Sequence, residues 1–134
     1  MENNRNRCFN ILTFIEFVID LANDDPIFYE TAGNGIDAKY YFRNGGCYEL
    51  YKIVKHYFPE CHCMINDTLD HCAISYKDKV YDSHGEITDT THFFEASDED
   101  IAYMERRFGL HIKTLESEHL LYELSQCNLK GILY

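Results

Sequence analysis

Tryptophan is absent, proline occurs only twice (Pro26 and Pro59), and basic residues are scarce, with 12 Lys and Arg against 23 Asp and Glu. The resulting net charge of −11 repels a phosphate backbone, so no nucleic-acid partner is expected. An acidic chain that occupies the basic groove of another protein stays compatible with that charge. Long apolar runs are missing as well. Residues 9–22, FNILTFIEFVIDLA, come nearest, but Asn10, Thr13, Glu16 and Asp20 interrupt a stretch already too short to span a bilayer. Nothing reads as a targeting segment, so a cytoplasmic location with no membrane association is expected.

Repeats, low-complexity tracts and long linkers are also lacking, and the 134 residues are expected to form a single domain, 1–134. Folding at this length hides roughly 65–70% of the unfolded surface, enough for a core without a metal or disulfide staple. Six cysteines are present (Cys8, Cys47, Cys61, Cys63, Cys72 and Cys127). An even number fits a disulfide framework, but no signal peptide points to an oxidising compartment, and reduced thiols are the expectation.

Periodicity divides what is there. Cys8, Ile11, Leu12, Ile15, Val18, Ile19 and Ala22 recur at three- and four-residue steps, which predicts a helix over about 8–22 ended by NDDP. The glycine-bearing segment up to Gly46 reads as loop with a short extended piece. A second helix opens at Cys47, carries Cys47, Leu50, Tyr51, Val54 and Phe58 on one stripe, and closes at Pro59. Residues 61–66 predict a strand. His71 to Asp82 predict a hairpin, followed by a turn at SHGE. Ser97 with Asp100 three residues later signs the start of another helix, LHIKTL a further strand, and Ser117–Cys127 a last helix with Leu120, Leu121 and Leu124 inward. The expected fold class is α+β, a small antiparallel sheet packed against a helix that carries an N-terminal cysteine.

Three residues at element boundaries have the chemistry of an activated thiol. Cys47 stands at a helix start, where partial positive charge and free amides favour thiolate and can hold an oxyanion. His71 stands at a strand start as a base for the thiol proton, and Asp82 at the end of the next strand as the carboxylate that orients the imidazole. A two-residue loop at Tyr76–Lys77 puts His71 opposite Asp82; a loop at Asp78–Lys79 puts Ser75 there instead. Gly45 and Gly46 allow a sharp turn and close approach of a substrate backbone. Asn44 is a candidate amide donor to an oxyanion, although Asn-Gly is also an ordinary turn pair.

The order of cysteine at a helix start, histidine on a strand and aspartate on the next strand resembles the papain-like and transglutaminase-like superfamily. That superfamily includes cysteine peptidases, transglutaminases and arylamine N-acetyltransferases. NGGCYELYKIVKHYFP followed by DHCAISYKDKVYDSHGEI is similar to small bacterial and phage proteins with a Gly-Cys-Tyr helix start, a histidine-led strand and a YD-x-x-G ending. The likeness covers residues 42–87. It implies Cys47 as nucleophile, His71 as base and Asp82 as orienting residue, in a thiol-dependent hydrolase or acyltransferase. The implied substrate is a protein or small molecule with an amide, isopeptide or thioester, and no cofactor is implied. The chain departs from papain in having no Cys-x-x-Cys-Trp after the glycines.

Two other readings fit parts of the sequence. Cys61, His62, Cys63, His71 and Cys72 are zinc-ligand types within twelve positions, but a strand sends Cys61 and Cys63 to one face and His62 to the other, and no Cys-x-x-Cys is present. The expected metal set is therefore none. A non-catalytic acidic module, phage-encoded and blocking a host protein, would work through surface such as Asp98, Glu99 and Asp100. His84 and His92 are expected to face solvent. Tyr40, Tyr41, Phe42, Tyr48 and Tyr51 are expected to form core and rim near the Cys47 helix.

Overall fold

A computed structural model describes residues 11–25, 37–43, 46–109 and 121–127. Helix α1 (Ile11–Asp24) buries Ile11, Phe14, Ile15, Val18, Ile19 and Ala22; Phe14 joins the expected apolar stripe, Leu12 is only half-buried at its edge, and the helix runs two residues past Ala22. A six-residue helix α2 (Ala38–Arg43) occupies part of the segment expected to be loop. Two side chains hold its free first amides: Asn23 Oδ1 accepts from Ala38 N and Asp37 Oδ1 from Lys39 N, both at 2.8 Å. At six residues the helix is too short to display a hydrophobic period, so local pattern could not reveal it. Helix α3 (Cys47–Tyr57) begins and ends as its sequence predicts.

The hairpin residues belong to a five-stranded antiparallel sheet: β1 (His62–Asn66), β2 (Cys72–Tyr76), β3 (Lys79–Asp82), β4 (Gly85–Ile87) and β5 (Phe93–Glu95), in the order β4-β3-β2-β1-β5. The fold is α+β, as the alternation of helical and strand patterns implied. The three-residue edge strands β4 and β5 were not foreseen. The first two residues of β4 fall in the expected SHGE turn, and neither strand is long enough to alternate. Cys63 and Ile65 of β1 with Cys72, Ile74 and Tyr76 of β2 face a buried cluster shared with Phe14, Phe42, Leu50, Ile53, Val54 and Met104. Phe58 packs edge-on to Tyr76 and tilted to Phe14, tying α1, α3 and the sheet together.

The β2–β3 register differs from both expected alternatives. Ile74 pairs with Tyr81 and Tyr76 with Lys79, so the two-residue loop is Lys77–Asp78, at φ 51° and 70°. Positive φ at both positions is the primed turn whose twist matches antiparallel strands. Extending the register puts Asp82 opposite Ala73. His71, two residues from Ala73, therefore shares its face and lies diagonal to Asp82.

Helix α4 (Asp98–Met104) starts with Ser97 and Asp100 in a reciprocal capping box, and runs into a π-helical turn, Glu105–Gly109. Glu105 accepts the Tyr48 hydroxyl at 2.8 Å and pairs with Lys52 at 3.2 Å, which docks that turn on α3. Residues 121–125 are helical, with Leu124 fully buried. The expected strand LHIKTL, Cys8 and Leu120 lie outside the described residues. Among the described residues no helix is long and apolar enough to cross a membrane.

Glycine at position 46 is required by packing. A Cβ built there runs into the Tyr41 ring. That ring cannot retreat easily, because Tyr41 O accepts Gly46 N at 2.9 Å and the Tyr41 hydroxyl donates to Glu49 Oε1 at 2.8 Å. Gly46→Ala is expected to lower stability by about 1–3 kcal/mol, as overpacking does, although alanine accepts the local φ of −105°. Asp78→Gly is expected to raise stability by about 1 kcal/mol by relieving a left-handed residue. Urea midpoints for the two variants check both signs.

Candidate active site

Cys47 reaches its position through the α2–α3 corner. Gly46 is the helix cap and contributes no side-chain cap bond, so the first turn of α3 presents its amides and its positive dipole end to Cys47. The Cys47 sulfur meets the sheet at the first residue of β2, where it accepts the Cys72 amide at 3.4 Å.

His71 is placed by the β1–β2 turn. Asn66 Oδ1 accepts from both Asp70 N and His71 N at 3.1 Å, Asn66 N donates to His71 O at 3.1 Å, and Asn66 Nδ2 donates to Asp70 Oδ1 at 2.8 Å. One asparagine thus fixes the backbone on either side of the imidazole. The ring lies edge-on to Phe93, centroids 6.0 Å apart, so the unforeseen strand β5 walls one side of the site.

Asp82 ends β3 with both oxygens engaged. Oδ2 receives His71 Nε2 at 3.3 Å and Arg43 Nε at 3.1 Å, while Oδ1 accepts His84 N at 2.8 Å. The His71 and Asp82 side chains are nearly buried, at 10% and 6% exposure, and Arg43 reaches them from the surface at 42%. Burial opposes the Asp82 carboxylate, but His71, the His84 amide and Arg43 together hold its pKa below the usual range.

The electrostatics favour an ion pair. A hydrogen bond from the Cys72 side chain is the strongest influence lowering the Cys47 pKa. Burial opposes it, and His71 with the Cys72 amide adds to it, bringing the thiol from 9.0 to about 5. Burial disfavours the His71 imidazolium most, yet the bonds to Asp82 and Cys47 and the thiolate charge outweigh it, raising the pKa from 6.5 to about 9. Arg43 works the other way on His71 and tempers that rise. Between about pH 5 and 9 the favoured state is therefore thiolate with imidazolium. An imidazolium carries hydrogen on both nitrogens, and Nε2 is the one committed to Asp82.

The fold thus brings Cys47, His71 and Asp82 together, by the diagonal register and not by either pairing expected from the sequence. Gly46 lies beside them, but its missing side chain makes room for Tyr41 and not for a substrate. Asn44 and Gly45 lie outside the described residues. Arg43 and Asn66 have no role in the sequence reading, and Cys72 figures there only as a zinc-type residue. Only the adjacency of Cys72 to His71 and of Arg43 to the glycines hinted at a place for either in the site.

Zinc-type residues diverge: Cys61 and Cys63 are buried, whereas His62 is exposed and pairs with Glu95 at 3.4 Å. Among the described residues no three His, Cys, Asp or Glu side chains converge on a metal site. His84 and His92 are exposed.

A family model described as Phage YunG-like protein matches residues 27–124 of the 134. The chain belongs to the phage YunG-like family. No curated protein and no solved structure matches significantly. The YunG-like match takes in Arg43, Cys47, His71, Cys72 and Asp82, so every side chain of the site falls within the family region.

Removing the two charges on either side of His71 is expected to act with opposite signs. Asp82→Asn lowers the His71 pKa from about 9 by deleting its carboxylate partner. Arg43→Gln moves it further up by deleting a neighbouring cation. Histidine ring nitrogen shifts followed by NMR across pH measure both. The His71 pKa stands above its ordinary value, so its stabilising contribution is present below pH 6.5 and is lost as pH rises through about 9. Asp82→Asn is expected to flatten that loss.

Proposed function

We propose that this chain is a thiol-dependent hydrolase or acyltransferase of the papain-like or transglutaminase-like type, acting on an amide, isopeptide or thioester through an acyl-enzyme on Cys47. The observation that carries the reading is the placement of the Cys47 sulfur at the start of α3 against the Cys72 amide at 3.4 Å, beside a His71 whose Nε2 meets Asp82 at 3.3 Å, a setting that lowers the thiol pKa.

In this reading the Cys47 thiolate attacks the acyl carbon. The developing oxyanion lies near the uncapped first turn of α3, whose amides point at it. The C–N or C–S bond then breaks, and the leaving group takes the proton from His71. His71, now neutral, accepts a proton from water or from an acceptor amine or thiol, which attacks the acyl group and frees Cys47. Asp82 stabilises the imidazolium at each stage without itself taking the proton. Arg43 and the His84 amide keep Asp82 ionised and fixed in rotamer.

Cys47 is expected to react with iodoacetamide at pH 6, where a thiol of pKa about 5 is roughly 90% thiolate and an ordinary one roughly 0.1%. His71→Ala should slow that reaction at least about tenfold. An activated thioester should leave its acyl group on Cys47, seen as a mass shift that Cys47→Ala lacks. A Cys47 inert in the folded protein overturns the reading. The acidic-module alternative has weaker support, since Asp100 already serves as a helix cap. It is favoured if Cys47→Ala preserves binding to a host protein and all biological effect.

A further inference from the structure

Cys72 is a buried nucleophilic group whose sulfur supports the Cys47 thiolate but makes no covalent bond in the proposed reaction. It opens β2, is 1% exposed, and gives its amide to the Cys47 sulfur at 3.4 Å. A backbone nitrogen is about 1.5 Å from its own Cα, so the Cys47 sulfur lies within roughly 5 Å of the Cys72 Cα. A cysteine sulfur lies about 2.8 Å from its own Cα and an S–S bond adds about 2.0 Å, so the Cys72 arm with the new bond reaches up to that distance. Both sulfurs sit inside the fold, Cys47 at 5% exposure, which favours a bond within one chain over a bond between copies. Each thiol is free in the structure.

We propose that Cys47 and Cys72 form a reversible intramolecular disulfide on exposure to a hydroperoxide, with Cys47 as the oxidised thiol and Cys72 as the resolving one. The proposal rests on Cys47 being a reactive thiolate, as the functional reading also requires. In the first step the Cys47 thiolate attacks the outer peroxide oxygen. The S–O bond forms, the O–O bond breaks, and the departing alkoxide or hydroxide is protonated by His71 or water. In the second step the Cys72 sulfur attacks the Cys47 sulfur. The S–O bond breaks, and hydroxide leaves with the Cys72 proton as water. The hydroperoxide gains two electrons and the two thiols lose one each.

The charges are arranged for this order. While Cys47 is anionic, it and Cys63 hold the Cys72 pKa well above 9.0, so Cys72 remains a thiol donating to its neighbour. Conversion of Cys47 to a sulfenic acid removes the stronger of those influences and eases loss of the Cys72 proton at the moment it is needed. The bridge takes the nucleophile out of action and shields it from irreversible over-oxidation.

The test treats the full chain with hydrogen peroxide at neutral pH, blocks free thiols with N-ethylmaleimide, and maps non-reduced peptides by mass spectrometry. The expected result is a peptide joining Cys47 to Cys72, loss of both thiols, and full recovery with dithiothreitol. In Cys72→Ser, dimedone should trap Cys47 as sulfenic acid, and sulfinic acid should accumulate several-fold faster than in the wild type. Cys63→Ser should leave the bridge intact. A wild-type Cys47 that bridges to Cys63, or that proceeds to dimedone adduct and sulfinic acid without a bridge, overturns the proposal. If Cys47 alkylates rapidly at pH 6 but never bridges, only this inference fails. If it resists both reagents, the catalytic reading fails with it.

Discussion

The seating of the α3 start against the first residue of β2 is the constraint on which the site depends. One bond marks it, from the Cys72 amide to the Cys47 sulfur at 3.4 Å, but its geometry is set from both sides. On the helix side, Tyr41 locks Gly46 by its carbonyl and Glu49 by its hydroxyl. On the sheet side, Asn66 fixes the chain through Asp70 and His71. Hydrophobic burial of Leu50, Ile53 and Val54 against Ile65 and Ile74 brings the layers together. The polar contacts then decide where along the helix the sheet end falls.

Burying charge in that seam is costly unless every ion has partners. Asp82 has three donors from three parts of the chain: Arg43 at the end of α2, His71 before β2, and the His84 amide in the following turn. The Cys47 and His71 charges compensate one another. A chain with a net charge of −11 thus concentrates an arginine, an imidazolium and a helix N-terminus at one place. There they stabilise two anions that would otherwise be neutral or exposed. Arg43 has a double effect, holding Asp82 ionised while restraining the basicity of His71.

Much of the element order was legible because period and capping are local properties. The α1 stripe, the α3 start and stop, and the Ser97–Asp100 box are each written within a dozen residues. Helix α2 and strands β4 and β5 were not legible, since three to six residues show no period and gain their stability from neighbours. The hairpin itself was visible but not its register, because turn residues of similar polarity run from Tyr76 to Lys79. The left-handed conformation at Lys77 and Asp78 depends on strand pairing as much as on residue type.

For the site, the sequence by itself determined the kinds of group available and their places at element ends: a thiol at a helix start, an imidazole before a strand, a carboxylate after the next. Those follow from local signals that carry both structure and chemistry. Tertiary structure alone decided that His71 meets Asp82 diagonally, that Arg43 joins them, that Tyr41 fills the space beside Gly46, and that Cys72 lies against Cys47. Each of these is a contact between elements, whether at the α2–α3 corner, across the layers or between strands, set by packing and register. Neither can be read from one segment at a time.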